Sequence, residues 1–186
     1  MRENDAVPTF IAFLRAVNVG KRKYPMAELR AALTEAGFAD VETHIQTGNV
    51  RFSTKLRSKD KVRAELERVM AEDRGFAVPV CLFTPAELRE VYDDAQRFAA
   101  DLGDVTTTGH YVALLQGRAT AAGVAAFETR KVDGEHVRVS SRAGHLMLAK
   151  PFHEARTGND SFEKAFGAAT TRNLTVIGKL VEKWGA

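Results

Sequence analysis

The sequence predicts an α+β protein of two similar halves, each running strand, helix, hairpin, helix. Three observations carry this. "TFIAFL", residues 9–14, is apolar on both faces, as a strand covered on two sides must be. In "HIQTGNVRF", 44–52, alternating apolar and polar residues flank a glycine, the pattern of a hairpin. Two stretches with helical spacing, 25–38 and 58–76, both end in Gly-Phe.

Each element follows in order. After the first strand, "VNVGKRKY" makes an extended loop. Pro25 suits the first turn of a helix whose stripe is Met26, Leu29, Leu33 and Ala36, and Gly37 can take the left-handed terminal position. If Thr47-Gly48 is a two-residue turn, Gln46 faces Asn49, Ile45 faces Val50 and His44 faces Arg51. That register puts Val41, Thr43, Ile45, Val50 and Phe52 on one face, with Glu42, His44, Gln46, Asn49 and Arg51 on the other. A second helix carries Val62, Leu66, Val69 and Met70, and "VPVCLF", 78–83, returns as a strand. A third helix begins at Thr84, with Pro85 in first position and Glu87 three residues past the cap.

Strand, helix, hairpin, helix, strand is the split β-α-β order of the ferredoxin-like fold, or alpha-beta plait. The polar, Gly/Thr-rich stretch 99–110 makes the best boundary, giving subdomains 1–98 and 105–186. Beyond it, "YVALL" reads as a strand, "TAAGVAAFET" as a short helix, and "EHVRVSSRAGHLMLAK" as a hairpin around Arg142-Ala143-Gly144. "SFEKAFG" gives a brief helix, and Ile177, Leu180, Val181 and Trp184 stripe a terminal one. The same order recurs without residue identity, so two ferredoxin-like subdomains packed together are expected.

Composition sets bounds on function. A formal charge of +3 without a basic tail attracts phosphates only modestly and argues against nucleic acid as the partner. Cys81 is the one cysteine, so no internal disulfide forms, and its apolar strand context makes it a buried small hydrophobe in a reducing compartment. "MRENDAVPTF" does not read as a signal peptide, and no run approaches the roughly 20 apolar residues of a membrane span. The chain is expected in the cytoplasm, as a monomer or weak dimer. Five histidines, 44, 110, 136, 145 and 153, form no tight pair along the sequence and have no second cysteine, so no structural zinc site is expected. No phosphate loop, nucleophile elbow or cofactor motif occurs, which designates no catalytic residue and leaves the question of an enzyme open.

Three polar stretches remain as candidate ligand-binding groups. Arg15, Asn18 and Gly20 follow the first strand, where an arginine can grip a phosphate or carboxylate by two parallel hydrogen bonds. Gln46, Gly48, Asn49 and Arg51 belong to the hairpin. Thr171, Arg172 and Asn173 precede the terminal helix, whose free amides attract anions. Each has a plainer reading: a loop tie, a solvated face, a helix cap. Together they suggest binding of a small anionic or phosphorylated ligand. An enzyme acting on a phosphorylated or carboxylated molecule, with His44 as base, is the alternative. Single-stranded nucleic acid along Arg15, Arg51, Arg142 and Arg172 is weaker, because Phe52 faces the core and no aromatic platform is left for stacking.

The stretches "FLRAVNVG", "YPMAELRAALTEAGFADVETHIQTGNVRF" and "TTRNLTV" closely resemble DUF1697, a family of uncharacterised bacterial proteins. The resemblance implies the same pair of ferredoxin-like subdomains and carries no activity. Where the family pattern has Leu-Arg-Gly-Ile-Asn-Val-Gly, this chain has Ala16 and Val17 inside the motif, and Leu174 replaces a common tryptophan. A basic Gly-Arg-Ser-Lys segment corresponds to Gly158-Asn159-Asp160-Ser161, which has lost both basic residues.

Overall fold

Burial on both faces of one strand organises the first half. In β1 (Thr9–Leu14), every residue from Phe10 onward is buried. Phe10, Ala12 and Leu14 share a core with α1 (Met26–Glu35) and α2 (Lys59–Arg74), which offer Leu29, Leu33, Leu66 and Met70. Ile11 and Phe13 point the other way and are buried too, Phe13 packing edge-on against Phe83 of β4 (Val80–Phe83) at 5.8 Å. This two-sided burial needs a central position. The sheet order provides it: β2 (Ala39–His44), β3 (Asn49–Ser53), β1, β4. The computed structural model describes residues 7–185, so positions 1–6 of the stretch read for a targeting signal, and residue 186, lie outside the described residues.

The helix ends follow the expected chemistry. Ser58 accepts a hydrogen bond from the Lys61 amide at the start of α2, and Gly75 closes that helix in the left-handed conformation, φ 73°. Cys81 is buried and unbridged.

The second half repeats the arrangement. Its sheet runs β6 (Glu135–Val139), β7 (Ala143–Leu148), β5 (Gly109–Leu115), β8 (Ala169–Asn173), the first sheet's order shifted by one repeat. On one face, α4 (Ala121–Glu128) and α5 (Asn159–Phe166) bring Phe127 and Phe162 onto Ala113, Leu115 and Ala169. Gly144 lies under this pair, and a Cβ there would come within 2.0 Å of the Phe162 ring. α6 (Leu174–Trp184) also packs on β5 and β8. The fold is therefore a duplicated βαββαβ unit of the ferredoxin-like, α+β class.

Three expectations change in detail. The first hairpin pairs His44 with Asn49 and Thr43 with Val50, a slip of two residues from the expected register. The slip keeps each strand residue on its expected face, but Ile45 and Gln46 leave the ladder for a four-residue turn. In the second half, 169–173 is a strand and not merely the approach to a helix. The hairpin turn there is Ser140–Arg142, with Ala143 and Gly144 already in β7. The described residues divide into two compact units between Pro85 and Ala86, and α3 (Pro85–Leu102) falls almost wholly in the second.

Candidate functional site

In the first unit, two of the sequence-selected stretches meet. The Leu14 amide donates to the Gly48 carbonyl at 2.8 Å, bringing the end of β1 to the hairpin turn. Asn18 then fastens the loop. Its Oδ1 accepts from the Tyr24 amide at 2.8 Å, and its Nδ2 donates to the Tyr24 carbonyl at 2.9 Å and the Gln46 carbonyl at 2.8 Å. The backbone is bent hard here, with Ala16, Asn18 and Gly20 at φ 54°, 55° and 56° and Ile45 at φ 51°. Such angles cost a residue bearing a Cβ, most of all a β-branched one. Gly48 serves a double need: φ is 78°, and a Cβ would lie 2.7 Å from Val17 Cγ2 and 2.8 Å from Leu14 Cβ.

The polar side chains of this junction are mostly fasteners. Asn49 is completely buried and donates to the His44 carbonyl and Thr47 Oγ1, both at 3.0 Å, which braces the turn from inside. The Arg15 amide donates to the Pro79 carbonyl at 2.9 Å. Arg51 lies farther along β3 and pairs with Glu42 at 3.2 Å. The loop that carries Arg15, Asn18 and Gly20 is thus tied to the turn of Gln46, Gly48 and Asn49 through Leu14 and Asn18.

The third stretch sits in the second unit and is similarly employed. Thr171 donates to Asn159 Oδ1 at 3.1 Å. Arg172 is buried, its Nη1 donating to Thr170 Oγ1 at 2.8 Å and the Thr171 carbonyl at 3.0 Å. Asn173 caps α6, its Oδ1 accepting from the Thr175 amide at 2.8 Å.

At that cap the second unit opens into a cleft of about 570 Å³. The first turns of α6 form one side, with Asn173, Thr175, Gly178 and Lys179. Tyr92 of α3, His110 of β5 and Glu182 of α6 line it as well. The Tyr92 hydroxyl accepts from Gln96 Nε2 at 2.8 Å, leaving its own hydrogen to donate elsewhere. Gly178 lets the tyrosine ring approach, since a Cβ there would meet Tyr92 Cε2 at 3.2 Å.

His110 belongs to a pair that the sequence hid. Strand pairing sets Val112 opposite both His145 and Arg172, and Arg138 opposite His145. Arg138, His145, Val112 and Arg172 therefore form one row across the sheet, with His110 two residues from Val112 on the same face. The His110 and His145 rings stand 6.3 Å apart, edge to face, and Phe98 of α3 packs on both, at 6.0 and 6.4 Å. His145 is fully buried, with Nε2 3.3 Å from Ser140 Oγ. Its Nδ1, and Nε2 of His110, are buried without a hydrogen-bond partner. Burial pushes both imidazoles down to about 4. On His145 a charge on His110 or Arg138 adds to the effect, and Asp94 opposes it. Among the described residues, no group of three His, Cys, Asp or Glu is placed to hold a metal ion.

The family model for the protein of unknown function DUF1697 matches residues 7–144. The chain belongs to the DUF1697 family. No curated protein matches it. Among solved structures, this DUF1697 chain is similar to the conserved bacterial protein SP0830 from Streptococcus pneumoniae, at 20% identity and a TM-score of 0.72. The likeness covers 97% of this chain and 100% of that one, and at this identity it speaks for the fold alone. The family match ends at Gly144, so the α6 side of the cleft lies outside the matched residues. No helix among the described residues is long and apolar enough to cross a membrane.

Proposed function

We propose that this DUF1697 protein binds a small anionic ligand, phosphorylated or carboxylated, in the cleft at the start of α6. The observation that carries the reading is the convergence there of donors from separate elements. The amino end of an eleven-residue helix supplies first-turn amides and the positive end of its dipole. Lys179 adds a charge, and Tyr92 and His110 add neutral donors from α3 and β5. Glu182 in the lining offers an acceptor to a hydroxyl on the rest of the ligand. The volume suits a small metabolite. The reading moves the emphasis from the loop of Arg15 and Asn18, whose asparagine is committed to the backbone, to the cleft beside Asn173.

Thermal unfolding in the presence of phosphate monoesters, nucleotides and small carboxylates tests this. A ligand at about a hundred times its Kd stabilises the folded protein by about 2.7 kcal/mol, a readily visible rise in melting temperature. At least one anion is expected to produce it, and Lys179→Glu to abolish it. A panel without any such rise, or wild type and Lys179→Glu responding alike, would sink the reading.

A further inference from the structure

We propose that His110 and His145 act as one proton store behind the cleft: an anion seated against His110 draws a single proton into the pair, so that binding strengthens as pH falls. This deepens the function proposed above and rests on it.

The pair is a costly thing to build into a sheet face. Buried polar atoms in folded proteins nearly always have partners. Here two neighbouring imidazoles each leave a ring nitrogen buried without one. Apolar side chains in the same space would avoid that desolvation cost. What histidines offer and apolar residues do not is protonation. His110 connects this property to the surface, since it lines the cleft while its Nε2 is turned inward.

Burial keeps the empty pair neutral, and charged groups stand around it on several elements. From β6, Arg138 stands directly opposite His145, itself paired with Asp101 at 2.7 Å. From β8, Arg172 shares the row. From α6, Lys179 and Glu182 line the cleft, and α3 contributes Tyr92 together with Asp94, which is ion-paired with Arg97. Burial is the largest cause on both rings; on His145 Arg138 adds to it and Asp94 opposes it. An anion in the cleft brings an opposite charge to His110 and works against burial. A second proton is then opposed by the first, because like charges this close disfavour each other. The pair takes one.

Linkage makes the effect reciprocal: if the anion raises the affinity of the pair for a proton, the proton raises the affinity for the anion by the same factor. An opposite charge near an ionisable group typically shifts its pKa by about 1–3 units. A rise of about two units from a starting value near 4 makes the anion bind about tenfold more tightly at pH 5 than at pH 7.

Sulfate is the probe, since its own charge is constant over this range. It is titrated into the full chain at constant ionic strength while backbone amides and imidazole nitrogens are followed by NMR. The expected result has three parts. Amides of Thr175 and Gly178 shift, the imidazole titration of His110 moves up, and affinity rises about tenfold from pH 7 to pH 5 in wild type but not in His110→Gln. Shifting amides with an unmoved imidazole titration and a pH-independent affinity would overturn the proton store and leave the cleft reading standing. Cleft amides that shift at no pH would overturn both. The imidazole titration is made on the wild-type chain, so the test does not depend on the folding of the variant.

Discussion

Asn18 Nδ2 donates to the Gln46 carbonyl at 2.8 Å, and this one bond ties the loop after β1 to the tip of the first hairpin. The same side chain closes a ring with the backbone of Tyr24. Three hydrogen bonds thus hang on one asparagine held at φ 55°. Asn18→Ala loses them all and leaves a Cβ in the left-handed region, for an expected loss of about 2–4 kcal/mol in urea unfolding. Asn18→Gly loses the bonds but relaxes the backbone, and is expected to cost about 1 kcal/mol less. Equal losses would show that backbone strain plays no part.

Gly144 faces a harder limit. A methyl group there would sit 2.0 Å from Phe162 Cε1, in a core that also stacks Phe127 on Phe162 at 4.8 Å. Gly144→Ala is expected to destabilise the second unit by about 1–3 kcal/mol, the usual range for overpacking. Phe162→Leu is expected to be destabilising alone and to recover part of the loss when combined with Gly144→Ala. A double mutant whose cost is simply the sum of the two would contradict the contact.

The buried histidines give stability a definite pH dependence. His145 is held at about 4 in the folded chain, below its ordinary 6.5, so the unfolded chain takes up the proton first. Stability is therefore full above about pH 6.5 and falls as the pH drops through that value toward 4, by on the order of 2–3 kcal/mol. Trp184, the only tryptophan, is buried in α6 and reports on this unit. Its fluorescence in urea titrations from pH 7.5 to 4.5 should show wild type losing more stability than His145→Phe. Parallel losses in the two proteins would remove the histidine from the explanation.

Much of the fold could be read from residue order, and less of the site. The all-apolar run 9–14 required a central strand, and the Gly-Phe endings placed α1 and α2 correctly. The register of the first hairpin was not legible, because its turn holds Ile45 at φ 51°, a conformation no pattern rule assigns to isoleucine. β8 escaped because "ATTRN" is short and polar at a sheet edge, and its apolar partners lie in β5, far away in sequence. The histidine pair was hidden for the same reason. Residues 110 and 145 share a face only through the β5–β7 register, which places Val112 opposite His145. Motif spacing picked out Asn18, Asn49 and Asn173 with a plainer reading beside each: Asn18 does tie a loop and Asn173 does cap a helix, while Asn49 braces a turn from inside instead of facing solvent.

The most direct test of the central claim is a map of backbone amide shifts on titrating a phosphate monoester into the full chain at pH 7. The account predicts a saturable set centred on Thr175, Val176 and Gly178 at the start of α6, with Gly109 and His110 of β5 moving alongside. A set centred instead on Gly20, Gln46 and Gly48 would return the site to the loop junction of the first unit and contradict the assignment of the cleft.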